Sequence, residues 1–213
     1  MTNEWAIAVL PEIFGVNGFV SGMVEKLGSA HGVPAFAIDS FFPVTGERKV
    51  YDYVVDREAA HSVMGSVTNE VFNIYFKSEL DRIQAEHSNV TKFAVVGFCF
   101  GGRLAYLTGL DPRVQKIVSF YGGRASECVG LLAQARANSD LKVLAFFGSK
   151  DESIPPTDRA KTKTQFEAAH IAYEEVVYAD AGHAFMNHER ADRYHEASAK
   201  DSLVRTSFFL ESV

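Results

Sequence analysis

Six short, almost continuously apolar runs, each separated from the next by a longer polar or helical stretch, constrain this chain most. They are WAIAVL (5–10), VPAFAID (33–39), KFAVVGF (92–98), VQKIVSFY (114–121), LKVLAFFG (141–148) and AYEEVVYA (172–179). Helical spacing fills most of the gaps: 19–32 closing on Gly32, 67–87 with Val67, Val71, Ile74, Tyr75 and Leu80, then 101–110 and 128–138. A helix over 157–170 has Thr157 as its expected N-cap, and one from His195 to Glu211 closes the chain. Residues 40–65, with Pro43, Gly46 and several charges, read mostly as loop. Strands apolar on both faces and separated by helices predict an α/β fold with a mostly parallel sheet covered on both sides. No repeat or linker divides residues 1–213, so one domain is expected.

The 47% hydrophobic and 12% aromatic content supplies a sizeable core. A net charge of −6 disfavours nucleic acid as a partner, because phosphate binding needs a basic surface. No apolar run approaches the roughly 20 residues that span a bilayer, so no membrane partner is expected. The start, MTNEWAIAVL, carries an acid and no basic region, which argues against a signal peptide and for a cytoplasmic location. Cys99 and Cys128 are expected to be free thiols.

Parallel sheets bind ligands at the carboxyl ends of their strands. Those ends carry PEIFGVNG (11–18), Cys99, GSKDESIPP (148–156) and DAGHAFMNH (180–188), so one edge collects Glu12, Cys99, Asp151 and His183. In VVGFCFGG (95–102), Gly97 and Gly101 flank Cys99 at the spacing of a nucleophile elbow, and nucleophile, acid and histidine follow in α/β-hydrolase order. His183 would exchange protons with the thiol, and Asp151 would fix its tautomer. The N–H of Phe100 is the natural first oxyanion donor and that of Ile13 the second.

Blander readings compete. Cys128 lacks the elbow and reads as core. Asp158 rivals Asp151, and His188 and His195 rival His183. A metal site on His183, His188, Glu189 and His195 lacks a His-Glu-x-x-His helix pattern. The glycines match neither a dinucleotide nor a Walker loop. No metal or organic cofactor is implied.

LPEIFGVN, GFCFGG, GSKDESIP and AGHAFMN resemble, in order over nearly the whole chain, the four motif blocks of the dienelactone hydrolases, or carboxymethylenebutenolidases. The resemblance implies a single-domain α/β-hydrolase without a large cap and a Cys99–Asp151–His183 triad. It also implies that Glu12 approaches the resting thiol and takes its proton once substrate displaces the carboxylate. Members that act on dienelactone hold the substrate carboxylate with arginines, one of them four residues after the catalytic histidine. That position is Asn187 here; Arg190 is near but unmatched, and Arg48 and Arg57 lie where alignment by eye fails.

The expected function is hydrolysis of a small-molecule ester or lactone through a cysteinyl acyl-enzyme, in a monomer or homodimer. Phe14, Tyr121, Phe185 and Asn187 are candidate substrate contacts, and loops 40–65 and 184–194 would shape the mouth. A thioesterase on the same triad, or a ligand-binding homologue without turnover, are the alternatives.

Overall fold

The computed structural model describes residues 1–211. Its strands are β1 (Trp5–Leu10), β2 (Ala35–Ala37), β3 (Lys92–Phe98), β4 (Val114–Phe120), β5 (Lys142–Gly148) and β6 (Ala172–Tyr178). They form one parallel sheet in the order β2-β1-β3-β4-β5-β6. Crossovers between parallel strands need room for helices. Here these are α1 (Gly18–His31), α2 (Phe42–Thr45), α3 (Arg57–Ser66), α4 (Asn69–Glu86), α5 (Phe100–Thr108), α6 (Ser126–Arg136) and α7 (Pro156–Ala168), with α8 (Glu196–Glu211) after the last strand.

Side chains alternate across a strand, and each face of the sheet therefore builds its own core. Ala6, Ala8, Leu10, Phe93 and Val95 pack with Phe72 and Phe76 of α4, Leu104 of α5 and Phe166 of α7. Ile7, Val9, Ala94, Val96 and Phe98 pack with Phe19 and Val20 of α1 and with Leu210 of α8. Full burial of one such phenylalanine is worth roughly 1.5–3 kcal/mol. The edge strand β6 is only half-covered and carries Glu174 and Glu175, charges that discourage edge-to-edge pairing.

Several local expectations are corrected. Residues 40–65 are half helix rather than mostly loop, since they hold α2 and most of α3. Of the α3 residues only Ala60 is buried, so no apolar stripe betrayed the helix. The buried face of α4 is Phe72, Phe76, Leu80 and Ile83, whereas Ile74 is exposed. Its N-cap is Thr68, whose hydroxyl accepts the Val71 N–H at 3.1 Å. The N-cap of α7 is Pro155 rather than Thr157; Pro156 opens the helix, where its missing N–H costs nothing. Among the described residues no helix is long and apolar enough to cross a membrane.

The strand order fixes where a site can form. From β1 the chain first adds β2 on one side and then β3 on the other, so the loops after β1 and β3 part and leave a crevice at the strand ends. Glu12 and Cys99 sit on those two loops.

Candidate active site

Cys99 occupies the junction of β3 and α5 with φ 55° and ψ −113°, a left-handed conformation unfavourable for a residue with a Cβ. The corner is held from both sides. Cys99 N–H donates to the Phe120 carbonyl at 3.0 Å, and Gly101 N–H donates to the Pro11 carbonyl at 3.0 Å. A Cβ on Gly101 would run into the carbonyls of Leu10 and Pro11, so only glycine lets the β1 loop approach this closely. That approach carries Ile13 to the start of α5, where the N–H of Phe100 has no partner within the helix. Both residues line the same cavity as Cys99.

A second close approach assembles the other half. A Cβ on Gly148 would collide with the backbone of Ala181, and Lys150 N–H donates to the Ala181 carbonyl at 2.9 Å. The loops after β5 and β6 thereby meet. His183 Nδ1 lies 2.7 Å from Asp151 Oδ2, and its Nε2 lies 3.0 Å from Cys99 Sγ. Burial pushes the Asp151 carboxyl up, but the hydrogen bonds from His183 and Ser153 more than offset this and hold it below its ordinary value. Burial would likewise lower His183. The negative charge on Cys99 and the bond to Asp151 outweigh it and raise the imidazole to about 10.

The rival residues sit elsewhere. His188 packs edge-on against Phe19, His195 bonds the Ser198 hydroxyl at 2.8 Å, and Asp158 lies in the first turn of α7. Cys128 is buried in the core beside Asn69. Among the described residues no group of three or more His, Cys, Asp or Glu is placed to hold a metal ion.

The crevice is a cavity of about 830 Å³ whose wall includes Glu12, Phe14, Tyr121 and the triad candidates. Arg57, His61 and Met64 of α3 form one side, and Arg190 and Arg193 of the 184–195 loop another. Tyr121 is held at φ 41°, with its ring centroid 5.1 Å from that of His183. Of the expected substrate contacts, Phe14 and Tyr121 line the cavity, whereas Phe185 and Asn187 are fully buried and are not among its lining residues.

A family model described as the dienelactone hydrolase family matches residues 2–213. The chain belongs to the dienelactone hydrolase family. It is thus an ester or lactone hydrolase by family. It is 28% identical over 204 residues to the "Putative carboxymethylenebutenolidase" of Yersinia pestis, covering 93% of this chain and 74% of that one. It superposes on the "Putative Dienelactone Hydrolase" structure from Klebsiella pneumoniae with a TM-score of 0.78, at 23% identity, over 98% of this chain and 87% of the other. At that identity the likeness speaks for the fold.

Against the dienelactone hydrolase pattern, the departure at Asn187 has a structural meaning. Asn187 Nδ2 donates to Glu12 Oε2 at 2.8 Å and lies 3.1 Å from the Tyr53 hydroxyl. The position therefore faces Glu12 rather than the cavity. Burial raises the Glu12 carboxyl, opposed by the Asn187 bond and by the positive charges of His183 and Arg190. The Glu12 carboxylate and the Cys99 thiol share no hydrogen bond among the described residues; the sulfur faces His183 instead. Tyr53 also accepts from Asn17 at 2.7 Å and donates to Glu189 at 2.8 Å, tying residues 49–56 to the 184–195 loop. Arg190 lies over the rings of Phe14 and Tyr53, 5.6 and 5.4 Å from their centroids.

Sequence reasoning missed Tyr53 and Ser153. Tyr53 fell in a stretch taken for loop, and nothing in its neighbours marks it. Ser153 was within reach, since it stands two residues after Asp151, the spacing at which a side chain meets a carboxylate in a turn.

Proposed function

We propose that the protein hydrolyses a small, negatively charged ester or lactone through a thioester on Cys99. The observation that carries this reading is the line of contacts from Asp151 through His183 to the thiol, 2.7 and 3.0 Å, at the positive end of α5. Cys99 Sγ adds to the carbonyl carbon, and the displaced electron pair moves onto oxygen, facing the N–H groups of Phe100 and Ile13. Collapse breaks the bond to the leaving oxygen, which takes the proton from His183 Nε2.

The charge on sulfur is now consumed in the C–S bond. The first of the influences that raise His183 disappears with it, so the imidazole becomes a neutral base. It takes a proton from water, and the water oxygen attacks the thioester and expels the thiolate. The acid product leaves, and the thiolate and imidazolium stand paired again. Where the proton rests on sulfur instead of on His183, Glu12, raised by burial and with Oε1 unpartnered among the described residues, is a second acceptor for it when substrate enters.

The substrate charge follows from the cavity wall. Arg57, Arg103, Arg124, Arg190, Arg193 and Lys150 face it in a protein of net charge −6. Among the acids on the same wall Asp151 is bonded to His183 and Glu12 to Asn187, with Glu152 exposed. Among the cations Arg103, Arg193 and Lys150 are paired with Glu127, Asp192 and Asp180, so the surplus rests on Arg57, Arg124 and Arg190. A surplus of guanidinium groups in a partly enclosed site favours a carboxylate-bearing ligand.

The test is turnover of aryl esters, lactones and acyl-thioesters, with and without a carboxylate, by wild type and Cys99→Ala, with intact-protein mass to catch the acyl adduct. Turnover and adduct that vanish together in the variant support the mechanism. Equal turnover by both proteins overturns it.

A further inference from the structure

We infer that Ser153 is a positioning residue for the Asp151–His183 pair, clamping one carboxylate oxygen so that the other is presented to the imidazole. The inference rests on the Cys99–His183–Asp151 reading above and adds a fourth side chain to it. Ser153 N–H donates to Asp151 Oδ1 at 3.0 Å, and the Ser153 hydroxyl donates to the same oxygen. Oδ2 is thereby left to His183 Nδ1, at 2.7 Å. The serine oxygen also stands 3.3 Å from Nδ1, so the imidazole N–H is bracketed by the carboxylate and the hydroxyl.

The arrangement solves a specific problem. A carboxylate turns easily about its last side-chain torsion, where the wells are broad. If it turned, the short bond to Nδ1 would lengthen and the imidazole would lose its aim at sulfur. Two donors on Oδ1 resist that turn. They also satisfy an oxygen that would otherwise be costly in a side chain only 1% exposed. Ser153 itself lines the cavity, so its hydroxyl is not there to fill the core.

Charge is shared as well as position. A hydroxyl donating to Oδ1 draws negative charge away from Oδ2, which weakens the hold of Asp151 on the imidazolium proton. The titratable groups facing His183 are the Cys99 thiol from the β3–α5 corner, the Tyr121 phenol from the end of β4, Asp151 from the β5 loop and Glu12 from the β1 loop. Lys150, on the same loop as Ser153, is paired with Asp180. Removing the Ser153 hydroxyl changes none of these charges. It concentrates the charge of Asp151, so the His183 proton should be held more tightly.

The experiment compares wild type, Ser153→Ala and Ser153→Thr by steady-state kinetics across pH and by proton NMR of the imidazole N–H. The expected result is a fall in kcat of about 10-fold for Ser153→Ala, with KM within about twofold. Its alkaline limb and its imidazole titration should both move to higher pH, and Ser153→Thr should restore both. A serine that merely closes a turn would lower thermal stability and leave the pH profile and the imidazole titration unmoved; that result overturns the inference. The NMR titration needs no turnover, so it separates the two readings. Full turnover by Cys99→Ala sinks the covalent mechanism, whereas an unshifted imidazole in Ser153→Ala sinks only the role of Ser153.

Discussion

Asn187 donates to Glu12 across 2.8 Å in the interior, although the two residues stand 175 positions apart in sequence. The donor is an amide, so it steadies the carboxylate without supplying a full countercharge, and burial leaves the carboxyl raised above its ordinary value. A raised carboxyl contributes stability below its unfolded pKa and loses it as pH climbs through the folded value. Above the ordinary carboxylate range, burial of Glu12 is therefore a cost to folding. Glu12→Gln keeps the bond to Asn187 and removes the charge. Urea denaturation should show it more stable than wild type at pH 8, with the advantage shrinking as pH falls and gone below pH 4.5. Turnover should fall. A variant no more stable than wild type at pH 8 would refute this account of Glu12.

His183 carries the opposite consequence. Its proton is held to about 10 by the Cys99 charge and the Asp151 bond, against burial. Its contribution to stability is complete below the unfolded value near 6.5 and is lost as pH rises through about 10. Cys99→Ala removes the leading support, so NMR titration of the imidazole should find it markedly lower in the variant. An unchanged titration would mean that the thiol and the ring are not paired as described.

Gly101 tests how the oxyanion donors are brought together. In Gly101→Ala the new methyl meets the carbonyls of Leu10 and Pro11, which must move away and take Ile13 with them. Overpacking of this kind costs about 1–3 kcal/mol. The variant should melt lower, and among the molecules that remain folded kcat should drop at least 10-fold while KM changes little. Normal kcat at a temperature well below the melt would remove Ile13 from the oxyanion site.

Arg57 and Arg190 test the charge of the substrate. Each faces the cavity, and neither is in the triad line. Replacing either by alanine should raise KM about 10-fold for an ester bearing a carboxylate and leave a neutral ester within about twofold. The same preference should fade with added salt, as screening weakens attraction across a partly open site. Equal effects on charged and neutral esters would point to lost packing instead.

The sheet and the strand ends that meet at the crevice could be read from the chain because both rest on local rules. Apolar runs such as KFAVVGF must be buried on both faces, and Gly97 and Gly101 around Cys99 declare a corner before any contact is known. The wall of the site was not legible for the converse reason. Helix α3 buries only Ala60, so its residues carry no period, yet it delivers Arg57 and His61 to the cavity. The face of α4 was misjudged because Val71 and Ile74 are as apolar as Phe72 and Phe76, and only packing against α5 and the sheet decides between them. Asn187 could be recognised as a substitution but not as the partner of Glu12, since that pairing exists only in three dimensions.

Cys99 and His183, in contact through sulfur and Nε2, are 84 residues apart, and every strand beyond β3 lies between them. A ribosome releases the chain in order, so Cys99 emerges while Asp151 and His183 are still unmade. Until β6 has joined the edge of the sheet and the 180–183 loop has closed over Gly148, the sulfur has no imidazole beside it. The nascent polypeptide is thus chemically quiet at this cysteine. Pairing the sulfur waits for residue 183, so a truncated copy ending before it would carry the thiol without its imidazole.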